Sequence, residues 1–250
     1  MTTKLFIFSI PLISIALFAS FKRSAGVENS LYLALVREDS LIEYASAGLF
    51  FIASLLTVRN SVMAWKLGLK LAAVFQIGLG GLMLFMALEE VSYGQRIFGI
   101  ETPAAISADN TQRELNFHNL SSLKWLMQDM APGWIINWGV FGWLGLALLA
   151  IFIDRRSAAF RTAELALPPW YLSSYFIPFA LWAYHSFWNI WTSAIWQDQE
   201  ITELYLALAF LAFSLASNYK LRDYALSPEG PPLQKKRSSA QDRQESRRAT

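Results

Sequence analysis

Two adjacent glutamates end the third long apolar stretch of the sequence. Glu89 and Glu90 lie within ALEEVSYGQRIFG (residues 87–99), and Arg96 follows them closely. If the stretch is a helix, the negative end of its dipole disfavours an acid there by a few tenths to about 1 kcal/mol. Successive helical residues point about 100° apart, so one glutamate can face neighbouring helices while the other faces solvent. Such a carboxylate suits a general base or a proton carrier, and the structural alternative is that both reach water beside Arg96.

The two histidines of the chain are the other candidates for chemistry. His185 and Asn189 are four residues apart in HSFWN, so in a helix they share one face and form a donor pair suited to a developing oxyanion. His118 follows Glu114 by four residues in ELNFHN and can share a face with it. For both histidines, packing with a hydrogen bond inside the protein is the structural alternative.

The composition is that of a membrane protein. Of the 250 residues, 54% are hydrophobic and only 16% are charged, against roughly 25% in soluble domains. The chain has no cysteine, which excludes disulfides and thiol catalysis and restricts a metal site to histidine and carboxylate ligands.

Six stretches are long and apolar enough to cross a bilayer, which takes about 20 residues. They are approximately Leu5–Phe21, Leu41–Val58, Leu67–Leu88, Trp134–Ile153, Trp170–Trp191 and Ile201–Ser217. The first is followed by SFKRSAG, which lacks a signal-peptidase site and indicates a retained anchor. The sequence therefore predicts an all-α fold over residues 1–226: a polytopic membrane helix bundle of about six transmembrane helices plus one amphipathic or re-entrant helix.

The distribution of basic residues predicts the orientation. A six-span layout with both termini on one side gives that side fifteen Lys and Arg and the other side six, so both termini should be cytoplasmic in the cell membrane. Residues 227–250 hold six Lys or Arg against three Asp or Glu, with no apolar periodicity. We expect this segment to be a disordered basic cytoplasmic tail that binds no nucleic acid.

With this topology, acidic residues gather on the non-cytoplasmic side. They lie at the start of the second span, at the end of the third and around the start of the sixth: Glu38, Asp39, Glu43, Glu89, Glu90, Asp198, Glu200 and Glu203. A site is therefore expected to open toward that face.

The connection between the third and fourth spans is the one long loop. Thr111 and Glu114 have the spacing of a capping box, and apolar residues then recur at helical spacing from Leu120 to Met130. Pro132–Gly133 is expected to end this helix, which lies at the interface or dips into the membrane.

The order of these features resembles the type II CAAX prenyl protease superfamily, the CPBP intramembrane proteases. The features that carry the resemblance are two adjacent glutamates before an arginine, a single histidine after a further helix, and H-x-x-x-N in a later span. The motifs of the superfamily are E-E-x-x-x-R, F-x-x-x-H and H-x-x-x-N/D. The EE-S-Y-GQR and E-N-HN strings also resemble uncharacterised bacterial polytopic membrane proteins.

The resemblance implies roles for particular side chains. A glutamate and His118 would activate water, the H-x-x-x-N pair would stabilise the oxyanion, and Arg96 would be the structural partner of the glutamates. Apart from the resemblance, Glu114 is a candidate supporting residue. The catalytic residues it implies are Glu89, Glu90, His118, His185 and Asn189.

The sequence thus predicts a membrane-embedded hydrolase, with a glutamic-type intramembrane peptidase as its most specific form, that acts on a membrane peptide or lipid without a cofactor. One alternative is a metal-dependent lipid-modifying enzyme with Zn²⁺ held by one of the paired glutamates, Glu114, His118 and His185. The other is a non-enzymatic transporter, receptor or assembly subunit.

Overall fold

The protein is a bundle of α-helices. The structure, a computed structural model, describes residues 2–26, 30–36, 40–110, 113–117, 119–188 and 199–227, and no strand occurs among them. The helices are α1 (Thr2–Ala25), α2 (Ser30–Val36), α3 (Leu41–Lys66), α4 (Lys70–Glu90), α5 (Gln95–Phe98), α6 (Ala104–Asp109), α7 (Ala131–Phe152), α8 (Ala158–Ala166), α9 (Ser173–Trp188) and α10 (Gln199–Leu226).

Five of these helices, α1, α3, α4, α7 and α10, are long and apolar enough to cross a membrane. They coincide with five of the six predicted spans, so the all-α prediction is confirmed and the helices are consistent with a membrane protein. The predicted span Trp170–Trp191 corresponds to a 3-10 turn at Trp170–Leu172 followed by α9, and residues 189–198 lie outside the described part of the chain. Of the predicted tail, 227–250, only residue 227 belongs to the described part of the chain.

Helices α3 and α4 form an antiparallel hairpin at the centre of the bundle. Gly68 has φ of 79°, a left-handed conformation that lets the chain turn back after α3. At Gly80 the helices approach so closely that a Cβ atom would lie 3.1 Å from the Val58 side chain. Ser54 Oγ donates a hydrogen bond to Gly80 O across the contact at 2.8 Å. Small residues of this kind allow close helix packing in a membrane.

Buried polar groups join α10 to this hairpin. Thr57 Oγ1 and Ser214 Oγ lie 2.7 Å apart, and Asn60 Nδ2 donates to Ser214 O at 2.8 Å. Asn218 Nδ2 in turn donates to Asn60 Oδ1 at 2.8 Å. Since lipid offers no hydrogen-bond partners, these groups fix how the three helices are aligned along their axes.

Aromatic side chains attach α7 and α9 to the core. Phe176 is fully buried against Gly139, where a Cβ atom would lie only 2.3 Å from its ring. Trp138 stacks on Phe210 with ring centroids 5.6 Å apart and donates its Nε1–H to Ala166 O at 2.8 Å. The most apolar windows of α1 and α7 are only 6% and 11% buried, respectively, which leaves broad apolar faces for lipid.

The long connection after α4 differs from the predicted helix. Glu114 lies in a non-helical segment after α6. Helical structure resumes with a 3-10 turn at Ser121–Leu123, which is followed by a π-helical turn at Trp125–Met130. The prediction that Pro132–Gly133 ends a helix was wrong, because Pro132 lies in the first turn of α7. Proline suits that position, where its missing N–H would have no helical partner.

Candidate functional site

Three carboxylates from two helices meet at one end of the bundle. Glu90 ends α4, and Glu200 and Glu203 lie in the first turns of α10; one oxygen of each lies within 4.8 Å of the others. All three side chains are partly buried. Glu43, in the first turn of α3, is close enough for its charge to act on Glu90. We call Glu43, Glu90, Glu200 and Glu203 the carboxylate cluster.

Helix direction explains why acids are tolerated here. Because α3 and α10 begin where α4 ends, the positive ends of two helix dipoles offset the negative end of α4. Ser40 caps α3 by accepting the Glu43 N–H at 3.3 Å. Within α10, Gln199 Nε2 donates to Glu203 Oε1 at 2.9 Å. The cluster is thus held by helix ends rather than by loops.

Glu89 is turned toward the loop that follows α4, although its charge also acts on Glu90. Its side chain is only 5% exposed, and Oε2 accepts a hydrogen bond from Phe117 N–H at 2.7 Å. Tyr93 also hydrogen-bonds to it. Burial raises the pKa of the Tyr93 phenol, and the hydrogen bond to Glu89 and its charge raise that pKa further. Glu89 therefore acts as a buried acceptor that holds the loop.

The chain makes a strained reversal directly after the two glutamates. Ser92, Tyr93 and Gly94 have φ values of 44°, 54° and 77°. A left-handed conformation is costly for the first two, which have side chains, and Ser92 is also buried. Such strain persists only where the surroundings enforce it, and it is concentrated at functional sites.

Side-chain amides and hydroxyls hold the returning loop in place. Ser92 Oγ donates to Glu114 Oε2 at 2.6 Å, and Gln95 Oε1 accepts the Leu115 N–H at 2.6 Å. Asn110 Nδ2 donates to both the backbone oxygen and Oδ1 of Asn116 at 2.8 Å. These bonds bring residues 114–117 back to the end of α4.

Aromatic rings cover the Glu89 side of this arrangement. Phe117 meets Tyr93 edge-on with centroids 5.7 Å apart, and it meets Phe85 of α4 at 6.3 Å. The Phe117 side chain is itself 43% exposed, whereas Glu89 is buried. Burial of the Glu89 carboxylate strengthens the hydrogen bond that it accepts from the Phe117 N–H.

The structure describes the side chains of some of the site residues predicted from the sequence, but not of all of them. Glu89 and Glu90 are adjacent but have separate surroundings, and Glu114 binds Ser92 instead of capping a helix. Other predicted positions are only partly described or fall outside the described residues. His118 and Asn189 lie outside, as do the side chains of Arg96 in α5 and His185 in α9. Their convergence on the glutamates stays a prediction, although Phe117, which binds Glu89, directly precedes His118.

The predicted topology put Glu43, Glu200 and Glu203 on the same side as the paired glutamates, and the structure confirms that they lie at one end. The sequence did not mark them as site residues. The i,i+3 spacing of Glu200 and Glu203 could have indicated a shared helix face, but no sequence signal pointed to Ser92 or Tyr93.

The chemistry of the cluster follows from its charge. Ionised carboxylates at this separation repel one another, which favours sharing a proton or binding a cation. An all-oxygen donor set suits a hard divalent cation such as Mg²⁺, Ca²⁺ or Mn²⁺ better than Zn²⁺. Comparison with protein families, with curated proteins and with solved structures finds no match to this chain.

Proposed function

We propose that the chain is a membrane-embedded hydrolase in which Glu90 is the acid–base residue and Glu89 positions the loop that bears His118. One observation supports this above all: the adjacent glutamates have different surroundings. Glu90 lies beside Glu200 and Glu203, whereas Glu89 is buried and accepts the Phe117 N–H.

The carboxylate cluster suits acid–base work because its members need not be in the same protonation state. When neighbouring carboxyl groups share a proton, one can accept a proton from water while another donates one to a leaving group. Glu90 is the member next to the strained reversal and the returning loop, so we assign it the role of general base. Glu200 or Glu203 is its acidic partner.

The remaining roles in the proposal follow the resemblance to the CPBP proteases. His118 is the partner of Glu90 in activating water, and His185 and Asn189 hold the oxyanion. The bond from Phe117 to Glu89 supports the first of these assignments, because it ties the residue before His118 to the end of α4.

The substrate class we propose is a membrane peptide or lipid with a hydrolysable carbonyl at the bilayer surface. The cluster lies at the ends of spanning helices, where a substrate held in the bilayer meets water. Basic residues gather at the opposite ends of the same helices, which supports cytoplasmic termini and a site on the outer face.

Substrate accumulation tests the proposal while the identity of the substrate is still open. Membranes from cells that express the wild type or Glu90→Gln are compared by mass spectrometry of lipids and of membrane peptides. We expect a species that accumulates with Glu90→Gln and disappears when purified wild type is added. Glu101→Gln, at an exposed position in the same connection, is the control and should match the wild type. Identical profiles for the wild type and Glu90→Gln would contradict the proposal.

A second candidate is a cation-dependent hydrolase, favoured by the three carboxylate oxygens within 4.8 Å of one another. Glu90, Glu200 and Glu203 would hold the ion, which would supply an activated water. Elemental analysis of the purified protein and thermal unfolding with added Mg²⁺, Ca²⁺ or Mn²⁺ test it. An unfolding temperature that rises with one of these ions in the wild type but not in Glu203→Gln would favour the cation-dependent hydrolase. No rise with any of the ions would favour the metal-free mechanism.

A further inference from the structure

The basic end of the bundle contains a cleft of its own, roughly 30 Å along α10 from the carboxylate cluster. It is open on one side, and its empty space of about 220 Å³ includes the solvent outside that opening. The interior itself has room for about one water-sized group. Its walls come from the start of α4, from α8 and from the last turns of α10. Its polar lining consists of Arg161, Glu164, Lys220 and Tyr224.

Positive charge exceeds negative charge in this cleft. Arg161 Nη1 pairs with Glu164 Oε2 at 3.3 Å. Lys220 Nζ donates instead to the backbone oxygen of Glu164 at 2.8 Å, so that bond does not neutralise its charge. Lys4 of α1 is close enough for its charge to repel that of Lys220. Three cations therefore share one carboxylate.

Arg161 has a hydrogen-bond donor still to be satisfied. Its Nε–H is buried and has no hydrogen-bond partner among the described residues. The guanidinium lies over the Tyr224 ring, 5.6 Å from its centroid, which limits its orientation. A buried N–H without an acceptor is costly, and a fixed guanidinium matches the oxygens of a phosphate.

The surroundings of the cleft are those of a bilayer interface. At this end Lys70 lies over the Trp65 ring at 5.8 Å, and Lys4 lies over the Tyr171 ring at 5.6 Å. Aromatic and lysine side chains are enriched where membrane helices reach the lipid headgroups. The most abundant anionic group at that level of a bilayer is a lipid phosphate, so we favour it over a solute from water.

We propose that this cleft binds the phosphate of an anionic phospholipid, with Arg161 and Lys220 as its ligands. One phosphate oxygen enters the cleft and completes the hydrogen bonds of Arg161, and the rest of the headgroup and the acyl chains remain outside its open side. This site is separate from the carboxylate cluster and does not depend on the proposed hydrolase activity.

Native mass spectrometry of the full chain tests the proposal. The protein is released from mixed micelles holding equal amounts of phosphatidylglycerol and phosphatidylcholine, and the lipids retained are counted. We expect the wild type to prefer phosphatidylglycerol, with a loss of roughly fivefold for each cation removed in Arg161→Gln and Lys220→Gln. Arg222→Gln, exposed on the same helix, is the matched control and should keep the preference.

Two further variants and conditions separate the outcomes. Arg161→Lys keeps the charge but loses the Nε–H donor, so it should retain only part of the preference. Unfolding temperatures of the variants that match the wild type distinguish lost binding from a failure to fold. Equal retention of both lipids by the wild type, or an unchanged preference in the double variant, would overturn the proposal. So would retention of inorganic phosphate in phosphatidylcholine micelles without any preference for phosphatidylglycerol, since the ligand would then be a free anion.

Discussion

Glu89 Oε2 accepts a hydrogen bond from the backbone N–H of Phe117 at 2.7 Å, although 28 residues separate them in the sequence. This bond closes the long connection onto the end of α4. It also gives the two neighbouring glutamates different tasks, because Glu90 points to α10 while Glu89 holds the loop.

Removing the charge of Glu89 should destabilise the protein. Glu89→Gln replaces a buried charged acceptor by a neutral one, and a hydrogen bond to a charged group contributes about 1.5–3 kcal/mol. We therefore expect a lower unfolding temperature in detergent for Glu89→Gln. Glu90→Gln should leave that temperature unchanged or raise it, since it removes repulsion within the carboxylate cluster. Equal losses in both variants would contradict the division of roles.

Stability at high pH should depend on Tyr93. The folded protein raises the pKa of its phenol above the unfolded value of about 10, because of burial and the bond to Glu89. A raised pKa contributes stability that is fully present below the unfolded value and is lost as pH rises toward the folded value. As pH rises above about 10, the wild type should therefore lose more stability than Tyr93→Phe. Tyr219→Phe, at an exposed tyrosine, should follow the wild type.

The contact between α7 and α9 requires a glycine at position 139. A Cβ atom there would lie 2.3 Å from the buried ring of Phe176, so Gly139→Ala should destabilise by about 1–3 kcal/mol or more. Gly133 in the same helix has no atom within 4 Å of its Cβ position, and Gly133→Ala is the matched control. Thermal unfolding compares them, and Phe176→Leu should partly rescue Gly139→Ala. Equal stability of the two alanine variants would contradict the close packing.

The loop should depend on the hydrogen bond between Ser92 and Glu114. Ser92→Ala removes the donor to Glu114 Oε2 and keeps the strained left-handed backbone. We expect faster hydrogen exchange over residues 113–117, with the exchange of the α3–α4 hairpin unchanged. Ser107→Ala, in α6 of the same connection, is the control. Uniform exchange across all variants would show that this bond does not order the loop.

The helices could be predicted from the sequence because apolar runs of about 20 residues have few alternatives in a bilayer. The connection could not, because its structure depends on distant partners. Thr111 and Glu114 have the spacing of a helix cap, but Glu114 binds Ser92 instead. Proline occurs near both ends of helices, and Pro132 lies in the first turn of α7.

The two glutamates illustrate the same limit. Helical geometry requires Glu89 and Glu90 to point in different directions. Which of them faces α10 depends on how α3, α4 and α10 are packed, and that is fixed by buried contacts such as the one between Thr57 and Ser214. No local pattern around the glutamates contains this information.

Oxygen-18 labelling distinguishes Glu90 as the reactive glutamate from Glu89 as the structural one. Purified protein is incubated in labelled water with the species that accumulates in Glu90→Gln membranes, and uptake of the label into product is followed by mass spectrometry. We predict that the wild type incorporates the label into product and that folded Glu89→Gln does so at a reduced rate. Glu90→Gln should incorporate none, despite its intact fold. Uptake by Glu90→Gln at the wild-type rate would contradict this assignment.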